Sequence, residues 1–188
     1  MEIYTSFLRR LFRVLNKFMM VPMFRLGLGP LVGNPFSGYI MVLKTTGRKT
    51  GKTRYTPVNY GIHEGDLYCL AGWGQISDWF RNIKANPKIE VIHPDGPLAG
   101  EVDEVTDAKK RILIIRLIMK NAGFAAFLEG YNPFKLTDEE LEDKLGGVPV
   151  LRIHPTGLGN GATDPAGWLW LMTLAFSVLL IYILIRLI

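Results

Sequence analysis

The sequence predicts a mainly β chain of the α+β class: a small antiparallel β-barrel with flanking helices and an apolar helical segment at each end. Three observations predict it. Between residues 31 and 156, six short runs rich in Val, Ile, Tyr and Leu are separated by Gly, Pro and Asp turns, the pattern of successive hairpins. Residues 3 to 21 carry a helical period, with Ile3, Phe7, Leu8, Leu11, Val14, Leu15, Phe18 and Val21 on one face and Arg9, Arg10, Arg13 and Lys17 on the other. From Trp168 to Ile188 the chain reads WLWLMTLAFSVLLIYILIRLI, with Arg186 as its one charge.

Taken in order, residues 1 to 30 form the amphipathic helix and a loop. Pro22 is expected to end the helix, and Gly27, Gly29 and Pro30 mark the loop. A basic face opposite a broad apolar one is the profile of a helix lying in a membrane interface. Basic residues run through this segment and its apolar run is broken by Pro22, which argues against a secretory signal.

Residues 31 to 156 form the barrel domain. Its strands are expected at Tyr39 to Lys44, Arg54 to Ile62, Leu67 to Ala71, Ile89 to His93, Leu98 to Val105 and Val148 to Ile153, with turns at residues 63 to 66 and 94 to 97. Asp78 to Ala85 reads as a short helix capped by Ser77 or Asp78, and Asp107 to Glu129 as a longer one capped by Thr106 or Asp107. In the longer helix Ile112, Ile115, Leu117, Ile118 and Phe124 are packing residues. The acidic run from Asp138 to Asp143 reads as a solvated helix face.

Residues 157 to 167, rich in glycine, read as a flexible linker. Residues 168 to 188 follow as a transmembrane anchor. At ~1.5 Å per residue such a helix spans roughly 30 Å, the thickness of a bilayer core. Trp168 and Trp170 stand where interfacial anchors belong, and Arg186 can reach the opposite headgroups. The sequence therefore predicts a membrane protein with a single C-terminal span, in contact with membrane lipid, its barrel left on the cytoplasmic side.

Composition narrows the function. A chain of 188 residues holds one compact domain plus appendages. The single cysteine, Cys69, sits in an apolar strand and reads as a small buried residue. His63, His93 and His154 are far apart in sequence and show no metal-ligand spacing, so no metal site is expected. The net charge of +5 is uneven: residues 1 to 62 hold ten Lys and Arg against one acid. That basic third could face lipid, nucleic acid or an anionic cofactor. Nucleic acid is the least favoured, because the basic residues of the N-terminal helix are interleaved with a wide apolar face and no aromatic RNA-binding motif accompanies them.

The stretch that carries the chemistry is LKTTGRKTGKTRYTPVNY, Leu43 to Tyr60. It reads as strand, turn, strand. Gly47 and Gly51 permit tight turn geometry, while Arg48, Lys49, Lys52 and Arg54 surround the turn together with Thr45, Thr46, Thr50 and Thr53. A concave turn offering only donors and positive charge suits an anion, such as the phosphate or carboxylates of a cofactor tail. Nowhere does a nucleophile stand at a recognisable spacing from a base, which fits an enzyme whose cofactor carries the reactive group.

TTGRKTGKTRYTP at Thr45 to Pro57, a strand ending at Ala71-Gly72, and DWFRNIKANP at Asp78 to Pro87 together resemble the deazaflavin-dependent nitroreductase family of split β-barrel oxidoreductases. The likeness covers roughly residues 38 to 155. It implies a split antiparallel barrel, the reduced deazaflavin coenzyme F-420 as hydride donor, and barrels that can pair as homodimers. It further implies that Arg48, Lys49, Thr50 and Arg54 bind the phosphate and polyglutamate tail. Tyr55, Thr56, Pro57, Val58, Asn59, Ala71, Gly72 and Trp73 would line the deazaflavin ring. Asp78, Trp79, Phe80, Arg81 and Asn82 would close the site.

Asn59 and Trp73 depart from nitroimidazole-reducing relatives, which carry tyrosine and serine there. The departure leaves cofactor binding intact and puts reduction of bicyclic nitro drugs in doubt. Tyr60, Tyr131 or water would supply a proton to the reduced product. With two apolar ends, the expected acceptor is a membrane quinone or similar lipophilic enone. An FMN-dependent reductase on the same barrel and a non-catalytic deazaflavin-binding protein are the alternatives.

Overall fold

The computed structural model describes residues 10, 12–128, 130, 132–162 and 170–187. Six antiparallel strands form the barrel: β1 Ile40–Thr46, β2 Thr53–His63, β3 Asp66–Leu70, β4 Lys88–His93, β5 Gly96–Glu104 and β6 Val150–Leu158. Their order around the barrel is β1-β2-β3-β6-β5-β4, and the barrel is closed. Each predicted strand is present. The expected split is reduced to one short seam, where β1 meets β4 through only three residue pairs, Val42 with Ile92, Leu43 with Val91 and Lys44 with Glu90.

Alternation sorts the strand residues between two sides of the barrel wall. Met41, Leu43, Tyr60, Leu67, Cys69, Val91, Val102, Leu151 and Ile153 fill the interior, joined by Phe80 and Ile83 from the helix Asp78–Ala85, which plugs one end. On the outer wall Tyr68 and Val150 pack with Ile114, Ile115 and Ile118 of the helix Ala108–Asn121 and with Leu141 and Leu145 of the helix Asp138–Leu145. Asp107 caps the first of these, its Oδ1 accepting from the Lys110 N–H at 2.7 Å. Thr137 and Glu140 form a reciprocal capping box on the second.

Three expectations about helices are corrected. The helix expected over Asp107 to Glu129 stops at Asn121, and a separate turn of helix, Phe124–Leu128, follows. Gly123, at φ +58°, breaks the run, and a Cβ there would lie 2.4 Å from the Gly38 nitrogen and the Phe36 oxygen. Phe124, expected to pack, is 39% exposed. Pro22 does not end the N-terminal helix: a π-helical turn, Asn16–Met20, precedes it and the helix continues as Val21–Arg25, with Pro22 just past the join between the two. Of the apolar face expected there, Ile3, Phe7, Leu8 and Leu11 lie outside the described residues. Val14 and Phe18 are 53% and 69% exposed, while Phe24 docks on Ile40, Val42 and Ile92 of the outer wall.

The third correction concerns the C-terminus. Among the described residues no helix is long and apolar enough to cross a membrane. The helix Trp170–Leu187 has 18 residues, which reach ~27 Å against a bilayer core of ~30 Å. Trp168, Leu169 and Ile188 of the expected span lie outside the described residues. The predicted transmembrane helix is thus not carried by the structure.

The stretch expected as free linker begins instead as strand. Gly157 and Leu158 pair with Ala99 and Leu98, and a bulge between Ala99 and Gly100 accommodates the offset. Beyond it Lys44 Nζ donates to the Gly161 carbonyl at 2.8 Å, and the Asn160 N–H donates to Glu90 Oε2 at 2.8 Å. Burial raises the Glu90 carboxyl, but bonds from Lys44 and Asn160 outweigh it and leave the group below the usual carboxylate range. A carboxyl depressed by folding stabilises above its unfolded pKa of ~4.3, and that contribution is lost as pH falls through the folded value. Amides of residues 159–162 should therefore exchange faster in a hydrogen-exchange titration below about pH 4, while the strand amides stay protected.

Candidate functional site

The basic turn is a compact structure in its own right. The Gly47 N–H donates to the Lys52 carbonyl at 2.9 Å, and the Gly47 carbonyl accepts from the N–H groups of Thr50 and Gly51 at 3.1 and 2.8 Å. Gly51 sits at φ +64°, a conformation that L side chains disfavour. The turn lifts Lys49, Thr50, Lys52, Thr53 and Arg54 into solvent at one end of the barrel.

Arg48 behaves differently from its neighbours. Its guanidinium Nη1 donates to Asp78 Oδ1 at 3.0 Å and to Asn82 Oδ1 at 3.1 Å, and its backbone N–H donates to Asn82 Oδ1 at 3.1 Å. The side chain lies half-buried between the turn and the helix Asp78–Ala85. The two motifs singled out in the sequence are therefore clamped together through one arginine. Asn82 is 5% exposed, so its oxygen has little water to replace either bond. The Asp78 carboxyl is held below the usual range chiefly by the Arg48 hydrogen bond and charge, with smaller contributions from Arg81 and Lys49. Three cations thus converge at the N-terminus of this helix, where backbone amides also favour negative charge.

Period-two alternation splits the stretch predicted to line the ring. Arg54, Thr56 and Val58 share the inner side with Tyr60, and the Arg54 Nε lies 3.6 Å from where a Gly47 side chain would begin. Tyr55, Pro57 and Asn59 face the outer wall. Tyr55 packs with Phe24 and Val42, and Arg25 lies over its ring at 5.1 Å. Asn59 Nδ2 donates to the Tyr39 carbonyl at 3.3 Å.

Ala71 is fully buried in the interior, and Gly72 and Trp73 are exposed just before the plugging helix. Within that helix Trp79 is half-buried against the interior, Arg81 is exposed, and Phe80 is a core residue with no exposure. Phe80 is therefore corrected from a site residue to a packing one. Phe80→Ala should destabilise the fold by ~3–5 kcal/mol, read as a lower denaturation midpoint.

A cleft opens beside the turn, a feature that sequence reasoning missed. Past the Lys44–Glu90 pair β1 and β4 part, leaving a cavity of about 230 Å³ lined by Lys44, Thr45, Thr46, Thr53, Lys88, Ile89 and Glu90. Thr45 is 3% exposed and its hydroxyl, on the inner side with Leu43, has no hydrogen-bond partner among the described residues. Lys44 is engaged by Glu90, which also lines the cleft, and by the Gly161 carbonyl, so Lys88 and the hydroxyls of Thr45, Thr46 and Thr53 are the donors an anionic group would meet there. The only sequence signal was the unbroken Lys-Thr-Thr at the end of β1.

The predicted proton donors do not join this cluster. Tyr60 lies six residues along β2 from Arg54, ~20 Å at strand spacing. There it is buried, its ring edge-on to His93 at 4.8 Å. Burial, reinforced by Asp95 and Tyr39, raises the Tyr60 phenol above its ordinary value. Tyr131 lies outside the described residues. Cys69 is wholly buried and its thiol is pushed up to about 12, so it is a packing residue rather than a nucleophile.

Comparison with known proteins places this geometry. A model of the F-420H(2)-dependent quinone reductase family matches residues 19–132. Among solved structures, the chain is similar to an F-420-H2 dependent reductase (FDR-A) at 25% identity, over 61% of this chain and 93% of the other, with a TM-score of 0.42. It is also similar to a conserved hypothetical protein, Rv2991, from Mycobacterium tuberculosis at 14% identity, over 62% and 72%, with a TM-score of 0.46. A third is HutZ, a heme storage protein from Vibrio cholerae, at 14% identity over 62% and 80%, with a TM-score of 0.42. The family match spans the basic turn, the seam and the plugging helix together. The chain belongs to the F-420H(2)-dependent quinone reductase family and is an oxidoreductase that uses coenzyme F-420.

Proposed function

We propose that this protein transfers a hydride from reduced coenzyme F-420 to a lipophilic acceptor, a quinone in the first instance, at a membrane surface. The observation that carries the reading is the clamp of Arg48 by Asp78 and Asn82, which builds a cationic rim from both motifs at the mouth of a hydroxyl-lined cleft.

In this reading Lys49, Lys52, Arg54 and Arg81 hold the acidic tail by charge-assisted bonds. Thr45 and Thr53 offer hydroxyls inside the cleft, and Thr56, Val58, Trp73 and Trp79 lie on the side where the ring would rest. When bound, the reduced coenzyme supplies the hydride, and the quinone takes that hydride and one proton to become a hydroquinone. The protein's own part is to orient, to exclude water with Trp73 and Trp79, and to neutralise the tail. The proton comes from water at the open mouth, since Tyr60 is buried at the far end of its strand.

The membrane part of the proposal is supported by exposed apolar surface. Leu174, Phe176, Val178, Leu179, Ile181 and Ile185 of the C-terminal helix are each more than half exposed, as are Val14 and Phe18 near the N-terminus. Residues 10–62 hold nine Lys and Arg and no acid, which suits the anionic cytoplasmic leaflet. Fluorescence titration with F-420 against FMN tests the cofactor choice, and F-420 should bind far more tightly. Oxidation of the reduced coenzyme by a soluble quinone analogue tests the reaction. A protein that binds F-420 but oxidises it with no quinone analogue would be a carrier instead.

A further inference from the structure

The chain does not leave the barrel where β6 ends. The Gly159 N–H donates to the Pro97 carbonyl at 3.0 Å, the Asn160 N–H to Glu90 Oε2 at 2.8 Å, and the Gly161 carbonyl accepts from Lys44 Nζ at 2.8 Å. Ala162 packs against the cluster of Phe24, Ile40, Val42 and Ile92 on the outer wall. Residues 159–162 therefore lie as a strap across the outer side of the seam, at the rung where β1 and β4 stop pairing. Gly161 follows that path at φ +70°, which L side chains disfavour.

The rung under the strap is Lys44 with Glu90, and both side chains also line the cleft. Lys44 is 9% exposed, and its amine is divided between Glu90 Oε1 at 3.1 Å and the strap carbonyl. The Glu90 carboxylate is met on both oxygens, by Lys44 on one and by the strap N–H on the other. Two bonds of this kind fix its direction.

What the strap restrains is thus a negative charge at the edge of a site for an anion. Glu90 and Lys88 stand two residues apart on the same side of β4, opposite Ile89 and Val91, which fill the interior. A Glu90 without its strap partner is free to turn along the strand toward Lys88, the cleft's other lining cation. An ion pair there would cancel the charge that an anion needs and place a carboxylate beside it. Held by the strap, the carboxylate faces Lys44, and Lys88 stays with the hydroxyls of Thr45, Thr46 and Thr53.

We propose that Glu90 is a positioning residue for the coenzyme site and that residues 159–162 are the strap that keeps it in place. With the strap docked, the cleft accepts an anionic group; with the strap lifted, Glu90 competes for Lys88 and the anion binds weakly. This rests on the reading of the cleft as part of the F-420 site, and adds to it a control by the segment that leads on to the helix Trp170–Leu187. By linkage, an anion in the cleft must tighten the strap by the same factor by which the strap tightens the anion.

The test uses the full chain and coenzyme F-420, followed by fluorescence titration and by hydrogen exchange at the strap. In the parent, saturating F-420 should slow exchange of the Gly159 and Asn160 amides several-fold. Asn160→Pro removes the N–H that Glu90 accepts, and Gly161→Val strains the strap through its positive φ. Each should weaken F-420 binding about five- to tenfold, while the barrel strand amides keep their protection. Adding Glu90→Gln to either variant should restore most of the lost affinity, and Glu90→Gln alone should change it much less.

Strap variants that bind F-420 as the parent does would overturn the proposal and leave the coenzyme reading intact. Weakened binding that Glu90→Gln fails to rescue would overturn it by making the strap a fastening of the seam alone. An equal gain from Glu90→Gln in every background would reduce Glu90 to a background charge, and strap amides indifferent to saturating F-420 would break the linkage; either result overturns it. A parent protein that does not bind F-420 would sink the reading of the cleft and this inference with it.

Discussion

Asn82→Leu is expected to weaken binding of coenzyme F-420 by ~10- to 100-fold and to lower the stability of the fold by ~2 kcal/mol. One oxygen of Asn82 accepts from both the backbone N–H and the guanidinium of Arg48. Leucine fills the same space and accepts nothing. The Arg48 N–H and part of its guanidinium would then be left without a partner next to a buried side chain, and the turn would lose its register against the helix Asp78–Ala85. Binding suffers because Lys49, Lys52 and Arg54 ride on that turn, and stability suffers because the clamp joins two elements 34 residues apart. Asn82→Asp keeps an accepting oxygen and should hold the denaturation midpoint near the parent value, which separates the clamp from simple bulk.

The second large effect is expected from Lys49→Ala combined with Arg54→Ala. Both side chains are exposed, so their removal should move stability by no more than ~0.5 kcal/mol. Their loss should appear in cofactor affinity. A charge-assisted bond to a phosphate or carboxylate is worth ~1.5–3 kcal/mol, or roughly 10- to 150-fold in dissociation constant for each. The double variant should also lose about half of the salt dependence of binding, because two of the four exposed cations that would hold the tail are gone. A titration at low and high salt reads both effects. The contrast with Asn82→Leu is instructive: one substitution disorders the cradle, the other removes its charge and leaves its shape.

The parts of this molecule that were readable from sequence are those set by local pattern. Alternating Val, Ile and Tyr placed β1 to β6 in the correct order, with boundaries off by a few residues. Asp107 sits where a helix cap belongs. The glycines of the basic turn announced its geometry, since Gly51 is held at positive φ and Gly47 packs against the Thr50 hydroxyl and the Lys52 carbonyl.

What escaped was decided by contacts distant in sequence. Arg48 reads as one more exposed cation until Asp78 and Asn82 are seen beside it. Gly123 reads as a tolerated helix glycine until the Gly38 backbone is seen against it. The glycine-rich segment from Gly157 reads as linker, yet Gly157 and Leu158 pair with β5 because a strand needs backbone partners more than it needs β-branched side chains. The stretch Tyr55 to Asn59 was read as one wall of a site, although a strand necessarily sends alternate residues to opposite sides, and only Thr56 and Val58 of the five face inward.

The cleft between β1 and β4 also follows from registry rather than composition. Three residue pairs close the barrel there, and no pattern in either strand states where pairing stops. The family match confirms what the two motifs suggested about the coenzyme. The acceptor and the membrane contact rest on exposed surface and charge.

The central claim is that the cationic turn, clamped to the plugging helix, grips the acidic tail of the coenzyme. The most direct measurement compares F-420 with the same chromophore stripped of its phosphate and glutamates, each titrated by fluorescence against the full chain. The account predicts that the intact coenzyme binds at least ~100-fold more tightly, as two charge-assisted bonds require, and that added salt erases most of the difference. Equal affinity for the two compounds at low salt would contradict it.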